Sequence, residues 1–226
     1  MKSMIAALAT AGMLLPFGAE ADEAAIKREI ERRLEAHGVS VSKTPYAGLY
    51  EVLIEGRILY TDESVGFFFN GDVIDARTSE NLTQKKVFSA LPFDNAVKVV
   101  RGSGKRTLVT FEDPNCSYCK KLAKDLQGLT DVTIYTFLYP ILSQDSMDKS
   151  RAIWCAPDRA KAWTDLMVKN VVPAAKGDCP NPIEKNVGLG ARMNIRGTPT
   201  ILLVNGQRLP GAVPAAEIEK ALATVR

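Results

Sequence analysis

The chain has 226 residues, a formal charge of +3, four cysteines, and 46% hydrophobic against 24% charged residues. That balance is ordinary for a globular protein large enough for one large or two small domains, and it excludes disordered, repetitive and low-complexity classes. Lysines and arginines are scattered, with no basic stripe interleaved with aromatics, so nucleic-acid binding has no support.

At the start of the chain, Lys2 precedes an apolar run to Phe17, and Ala19 and Ala21 supply the small residues of an A-x-A cleavage signal. Residues 1–21 therefore read as a secretory leader, cut before Asp22. A membrane anchor is disfavoured because the run is short and ends in Pro16 and Gly18, so no membrane insertion is expected once the leader is removed.

Asp22 to His37 carries Ile26, Ile30 and Leu34 at helical spacing, with Gly38 as a stop and His37, the sole histidine, as a C-terminal cap. Strands are expected over 48–54, 57–61, 65–69 and 72–77, with Asn70-Gly71 as a hairpin turn between the last two. This region has a thin core, and regions so small often need a partner to cover their apolar face. Phe67, Phe68 and Phe69 are consecutive and cannot all point to one side of a strand. At least one of their faces should meet the helix or another chain.

Residues 80–91 form a connecting helix, capped by Asn81 or Thr83 and ended by Pro92. After a turn at 101–105 the pattern becomes strand 106–111, helix 116–127, strand 132–138, a long helical stretch 144–176, a short helix 184–193, strands 200–204 and 207–209, and a last helix 215–225. A β-α-β start followed by a hairpin and a final helix is thioredoxin-like, with a helical insertion between the halves.

Cys116-Ser117-Tyr118-Cys119 falls where the first of these strands hands over to its helix. The free N–H groups and dipole of a helix N-terminus favour thiolate over thiol, which marks Cys116 as the attacking sulfur. Cys119, one turn further in and more buried, would resolve the mixed disulfide. The same spacing makes half of a zinc knuckle, but Cys155 and Cys179 do not supply the other half, so neither a metal nor a cofactor is expected. In an oxidising compartment those two look like a structural disulfide worth about 3.5 kcal/mol on the chain-entropy model. A second redox pair is the less favoured alternative, since nothing nearby activates either thiol. Pro199, entering a strand directly after Thr198, is awkward unless it has a purpose, because it removes a ladder donor. A cis Thr198–Pro199 bond would bring the Thr198 backbone beside the cysteines to pair with an extended substrate.

These pieces resemble the DsbC/DsbG family of periplasmic disulfide isomerases over the whole mature chain. The residues that carry the resemblance are Cys116 to Cys119 with Lys121-Leu122, the run Ala152-Ile-Trp-Cys155-Ala, Cys179, and Gly197-Thr-Pro199. It implies an α+β N-terminal dimerisation domain over 22–79, a linker helix over 80–91, and an α/β thioredoxin-like catalytic domain with a helical insertion over 92–226. It further implies a periplasmic homodimer that reshuffles misfolded, disulfide-containing secreted proteins and is kept reduced by an inner-membrane thiol reductase of the DsbD type. Cys116 would be the nucleophile and Cys119 the resolving thiol. Ser117, Tyr118, Thr198 and Pro199 would face substrate, and Cys155–Cys179 would be the structural disulfide. A DsbG-like reductase of single oxidised cysteines, a holdase chaperone and a DsbA-like net oxidase stay open as alternatives. Thr110 stands where thioredoxins carry a buried acid; Glu112 and Asp113 are nearby, but strand alternation and the turn do not fix their orientation, and neither is assigned a proton-relay role.

Overall fold

The computed structural model describes residues 19–46 and 48–225. The leader expected over 1–21 lies outside them except for Ala19–Ala21, which open the first helix. Two compact units divide the chain: one runs to Val52 and includes Leu59–Phe69, and the other takes Leu53–Ile58 with everything from Asn70 onward.

Toward the N-terminus, α1 (Ala19–Leu34) is followed by β1 (Ser40–Lys43), β2 (Tyr50–Ile54) and β3 (Arg57–Thr61), which form a sheet in that order. Ile26 and Ile30 are buried as their spacing requires, together with Val39, Tyr50, Val52 and Tyr60. Leu34, the third residue of the expected stripe, is 43% exposed because the helix stops there. Glu35 takes a left-handed φ of 50°, so His37 lies beyond the helix instead of capping it. The hairpin turn between β2 and β3 is Glu55-Gly56, both at positive φ as a tight two-residue connection demands.

The strands expected over 65–69 and 72–77 are reduced to single bridges, Tyr60 to Phe69 and Ile74 to Asn81, and Asn70-Gly71 does not join a hairpin. Local side-chain bonds compete with the ladder here. The Asp62 carboxylate accepts from the Gly66 amide at 2.7 Å and the Ser64 hydroxyl at 2.8 Å. The Thr61 hydroxyl donates to the Phe67 carbonyl at 2.6 Å, and Asp75 gathers the Arg77 and Thr78 amides. Phe67, Phe68 and Phe69 are left 48%, 36% and 46% exposed on the single chain.

The second unit opens with α2 (Leu82–Ser89), whose N-cap Asn81 accepts from the Gln84 amide at 2.9 Å. Its sheet has the order β4-β6-β5-β7-β8, made of β4 (Val97–Arg101), β5 (Arg106–Glu112), β6 (Val132–Leu138), β7 (Thr200–Leu203) and β8 (Arg208–Pro210). β5 and β6 are parallel and the other pairs antiparallel. β4, which the sequence did not reveal, is an edge strand with Val100 54% exposed, so its pattern lacks a clean alternation.

Alternation along β5 sets the two layers. Leu108 joins Leu122 and Leu126 of α3 (Ser117–Asp125) and its following 3₁₀ turn, along with Ile218 and Leu222 of α7 (Ala215–Ala223). Phe111 faces the other way, stacked on Phe137 at 4.9 Å and edge-on to Tyr139. On that side α6 (Ile183–Arg192) approaches so closely that a Cβ at Gly190 would lie 2.4 Å from the Tyr139 ring.

The long helix expected over 144–176 is two helices, α4 (Gln144–Cys155) and α5 (Arg159–Lys169). Pro157 follows the end of the first, and Asp158 caps the second by accepting from the Lys161 amide at 2.9 Å. Asn170 at φ 59° then ends α5, and 170–182 is irregular. Cys155, the last residue of α4, is bonded to Cys179 with Cα atoms 5.7 Å apart. That bond ties the irregular segment to a buried cluster holding Ile153, Trp154, Trp163 and the two remaining cysteines.

Removing this cross-link by Cys155→Ala with Cys179→Ala should lower unfolding stability by about 3 kcal/mol, measured by denaturant titration. An unchanged midpoint would show that the bond constrains little in the unfolded chain.

Candidate active site

β5 delivers the chain to α3 through Asp113-Pro114-Asn115, and the sulfur of Cys116 is the N-cap of that helix. Its Sγ accepts from the Cys119 amide at 3.3 Å, meeting one of the orphan donors of the helix end. Both thiols are free, and both are buried: Cys116 is 6% exposed and Cys119 is 0% exposed. Between them Ser117 and Tyr118 point outward, Tyr118 at 66% exposure. The other two cysteines are bonded to each other and do not join this pair in a four-sulfur site.

Asp113 builds the turn. One carboxylate oxygen accepts from the Asn115 amide at 2.8 Å, an Asx turn, and from the Ser146 hydroxyl at 2.8 Å. The other accepts from the Ile141 and Leu142 amides at 2.9 and 3.0 Å. Asn115 extends the net by donating to Asp145 at 2.7 Å and accepting from Lys149 at 2.8 Å. The cysteine loop, the segment after β6 and the start of α4 are thus held by one buried carboxylate.

The Thr198–Pro199 peptide is cis. The Cys116 thiol donates to the Thr198 carbonyl at 3.3 Å, which puts this loop directly against the outer sulfur. A groove of about 530 Å³ borders the loop itself, lined by Gly197, Thr198, Pro199, Thr200 and Pro210. The elements of the site expected from sequence are therefore brought together: Cys116, Cys119, Ser117, Tyr118, Thr198 and Pro199. Cys155 and Cys179 stand apart as a bonded pair, with Cys179 packed on the cluster that contains the free thiols.

The electrostatics of the interior are less ordinary. Burial pushes the Cys119 thiol well above the usual range, with the nearby Glu112 carboxylate the second cause. Glu112 itself is fully buried, and neither of its carboxyl oxygens has a hydrogen-bond partner among the described residues. Burial pushes it up to about 8, against a smaller opposing pull from the Thr110 hydroxyl. Sequence reasoning names both acids but assigns neither a role, because the strand end and turn leave their orientation open. Asp-Pro-Asn is an Asx-turn signal that could have located Asp113, whereas Glu112 needed the strand to be followed to its last residue.

Comparison with known proteins accounts for both units. Residues 93–226 match the model of a thioredoxin-like domain, and residues 17–84 match the model of the disulfide bond isomerase protein N-terminal domain. The chain is 45% identical over 206 residues to the probable thiol:disulfide interchange protein DsbC of Bordetella parapertussis, covering 88% of this chain and 73% of that protein. It is 29% identical over 213 residues to the thiol:disulfide interchange protein DsbC of Escherichia coli, covering 90% and 89%. A solved disulfide interchange protein from Neisseria gonorrhoeae superposes with a TM-score of 0.57 at 40% identity, covering 59% of this chain and 97% of that one. With a free C-x-x-C pair at a helix head and both family domains in one chain, the protein belongs to the DsbC family of thiol:disulfide interchange proteins and is a thiol:disulfide oxidoreductase.

Proposed function

We propose that this protein is a periplasmic disulfide isomerase that works as a homodimer, with Cys116 as nucleophile and Cys119 as resolving thiol. The observation that carries the reading is the asymmetry of the pair. Cys116 sits at the helix cap against the carbonyl of Thr198, whose loop borders a groove, while Cys119 is fully buried. The thiolate is the reactive species in exchange, and a helix N-terminus is where it is best accommodated.

Cys116 attacks a non-native disulfide of the substrate, forming a mixed disulfide and releasing a substrate thiolate. That thiolate attacks another disulfide of the same chain and returns Cys116 free, which is isomerisation with no net change in oxidation state. If rearrangement stalls, Cys119 attacks Cys116, expels the substrate reduced, and leaves the pair oxidised for an inner-membrane thiol reductase of the DsbD type to restore. Ser117, Tyr118, Thr198 and Pro199 line the approach for substrate, and Cys155–Cys179 braces the insertion.

For the rest of the chain, the proposed division is a leader over 1–21, a dimerisation domain over 22–79, a linker over 80–91 and a catalytic domain over 92–226. Three exposed phenylalanines in succession, Phe67 to Phe69, support a second copy as what covers the first domain. The leader-like N-terminus and the Cys155–Cys179 bond support an oxidising, exported location.

Reactivation of a scrambled multi-disulfide enzyme in a glutathione buffer tests the activity. The mature protein should restore it, Cys116→Ala should fall to the buffer rate, and Cys119→Ala should accumulate covalent mixed disulfides. Identical behaviour of the two variants would refute the roles, and no reactivation by the parent would turn the reading towards an oxidase, a reductase of oxidised single cysteines or a holdase.

Sedimentation of the mature protein should give the mass of two chains, and Phe67→Asp with Phe69→Asp should shift it to that of one. A monomeric parent would contradict the dimer.

A further inference from the structure

Away from the thiols, the second unit holds a cavity of about 440 Å³, and every residue lining it belongs to that unit. The start of β3 supplies Arg57, the segment before α2 supplies Asp72, and α2 itself supplies Gln84. Arg192 comes from the C-terminal end of α6 and Arg208 from β8. Three guanidinium groups therefore share one concave wall with a single carboxylate.

Several arginines elsewhere in the chain are met by acids, as Arg106 is by Glu219 and Arg151 is by Glu184 at 3.0 Å. The three in this cavity are met by neutral oxygens or by nothing. Arg208 donates through Nη1 to the Met193 carbonyl at 2.8 Å and through Nη2 to the Gln84 side-chain oxygen at 3.2 Å. Arg192 donates through Nε to the Glu55 carbonyl at 2.6 Å. Arg57 is exposed, and its guanidinium makes neither a hydrogen bond nor an ion pair among the described residues. Asp72, the one acid of the wall, is taken up by amides: it accepts from Asn81 Nδ2 at 2.7 Å and from Gln84 Nε2 at 2.9 Å. The Gln84 amide thus stands between Asp72 and Arg208, its nitrogen on the carboxylate and its oxygen on the guanidinium.

Burial works against the charge on Arg208. It lowers the guanidinium below its ordinary range, and the more distant Asp72 opposes it only in part. A partly desolvated cation with no facing anion costs folding free energy, and a purely solvated patch of surface charge would not carry that cost. An anion from outside would relieve it. Each guanidinium has N–H donors to spare for this, since Arg208 uses two within the chain, Arg192 one and Arg57 none. The planar fork of such donors matches the paired oxygens of a carboxylate or a phosphate.

We propose that this cavity is a binding site for a small anion bearing two acidic groups, a polycarboxylate or a phosphorylated molecule, held by Arg57, Arg192 and Arg208. Three guanidiniums against one carboxylate leave an excess of positive charge that a dianion balances. The volume leaves room for a skeleton between the two acidic groups. No cysteine lines the cavity, so binding there does not depend on thiol exchange.

Calorimetric titration of the mature protein with citrate and with pyrophosphate, at ionic strength fixed by sodium chloride, tests the site. Both probes carry the shared oxyanion chemistry, and the tighter of the two tells a carboxylate ligand from a phosphate one. One saturable site per chain is expected. Arg57→Gln and Arg192→Gln should each weaken binding about 10-fold, the loss of one charge-assisted contact. Arg28→Gln, which removes the same charge from an exposed position on α1, should leave it unchanged, as should Cys116→Ala. Because the Arg57 guanidinium holds nothing else in place, the unliganded thermal midpoint of Arg57→Gln should match that of the parent. With either anion at 100 times its dissociation constant, the parental midpoint should rise by about 5 °C or more. Absence of saturable binding by both probes would overturn the proposal. Undiminished binding in Arg57→Gln and Arg192→Gln would do the same, and so would equal weakening in Arg28→Gln, the mark of general charge attraction.

Discussion

Two adjacent acids at the end of a central strand govern this site, and the alternation of a β-strand sends them to different fates. Asp113 turns out of the sheet and accepts four hydrogen bonds, two of them from backbone amides of the segment after β6. These bonds fix where Asn115 and Cys116 begin α3. Glu112 stays in the sheet, fully buried, and its carboxyl oxygens meet no hydrogen-bond donor in good geometry among the described residues. The first acid positions the outer sulfur, and the second sits beneath the inner one.

The asymmetry of the cysteines follows from the same geometry. Three residues apart at a helix head, one sulfur becomes the cap and the other falls a turn deeper, into the cluster of Leu138, Ile153, Trp154 and Trp163. The insertion supplies much of that cluster through α4 and α5, and the Cys155–Cys179 bond fastens its irregular tail. The cis Thr198–Pro199 loop closes the outer side, with the Thr198 carbonyl accepting from the Cys116 thiol. Of the two sulfur-bearing residues only Cys116 retains any exposure, 6% against 0% for Cys119.

Much of this was legible because spacing alone determines it. Cys116 and Cys119, the strand over 132–138, the Asn81 cap and the loop at Thr198–Pro199 all stand where the chain signals place them. The failures have a common cause in side chains that redirect the backbone. Asp62 and Asp75 draw nearby amides into turns, so the apolar stretches 65–69 and 72–77 do not become strands. Pro157 with the Asp158 cap splits a helix that periodicity alone would continue, and Glu35 stops α1 before His37. The orientation of Glu112 was undetermined for a different reason: an acid where a strand meets a turn can face either way, and only the register with Leu138 shows that it faces inward.

Exchange through this site depends on the inequality of the two thiols. The most direct measurement is brief alkylation of the reduced mature protein with iodoacetamide, followed by peptide mass spectrometry to locate the label. Label on Cys116 with Cys119 unmodified at the same times is the predicted result. Equal labelling of both, or Cys119 modified first, would contradict it.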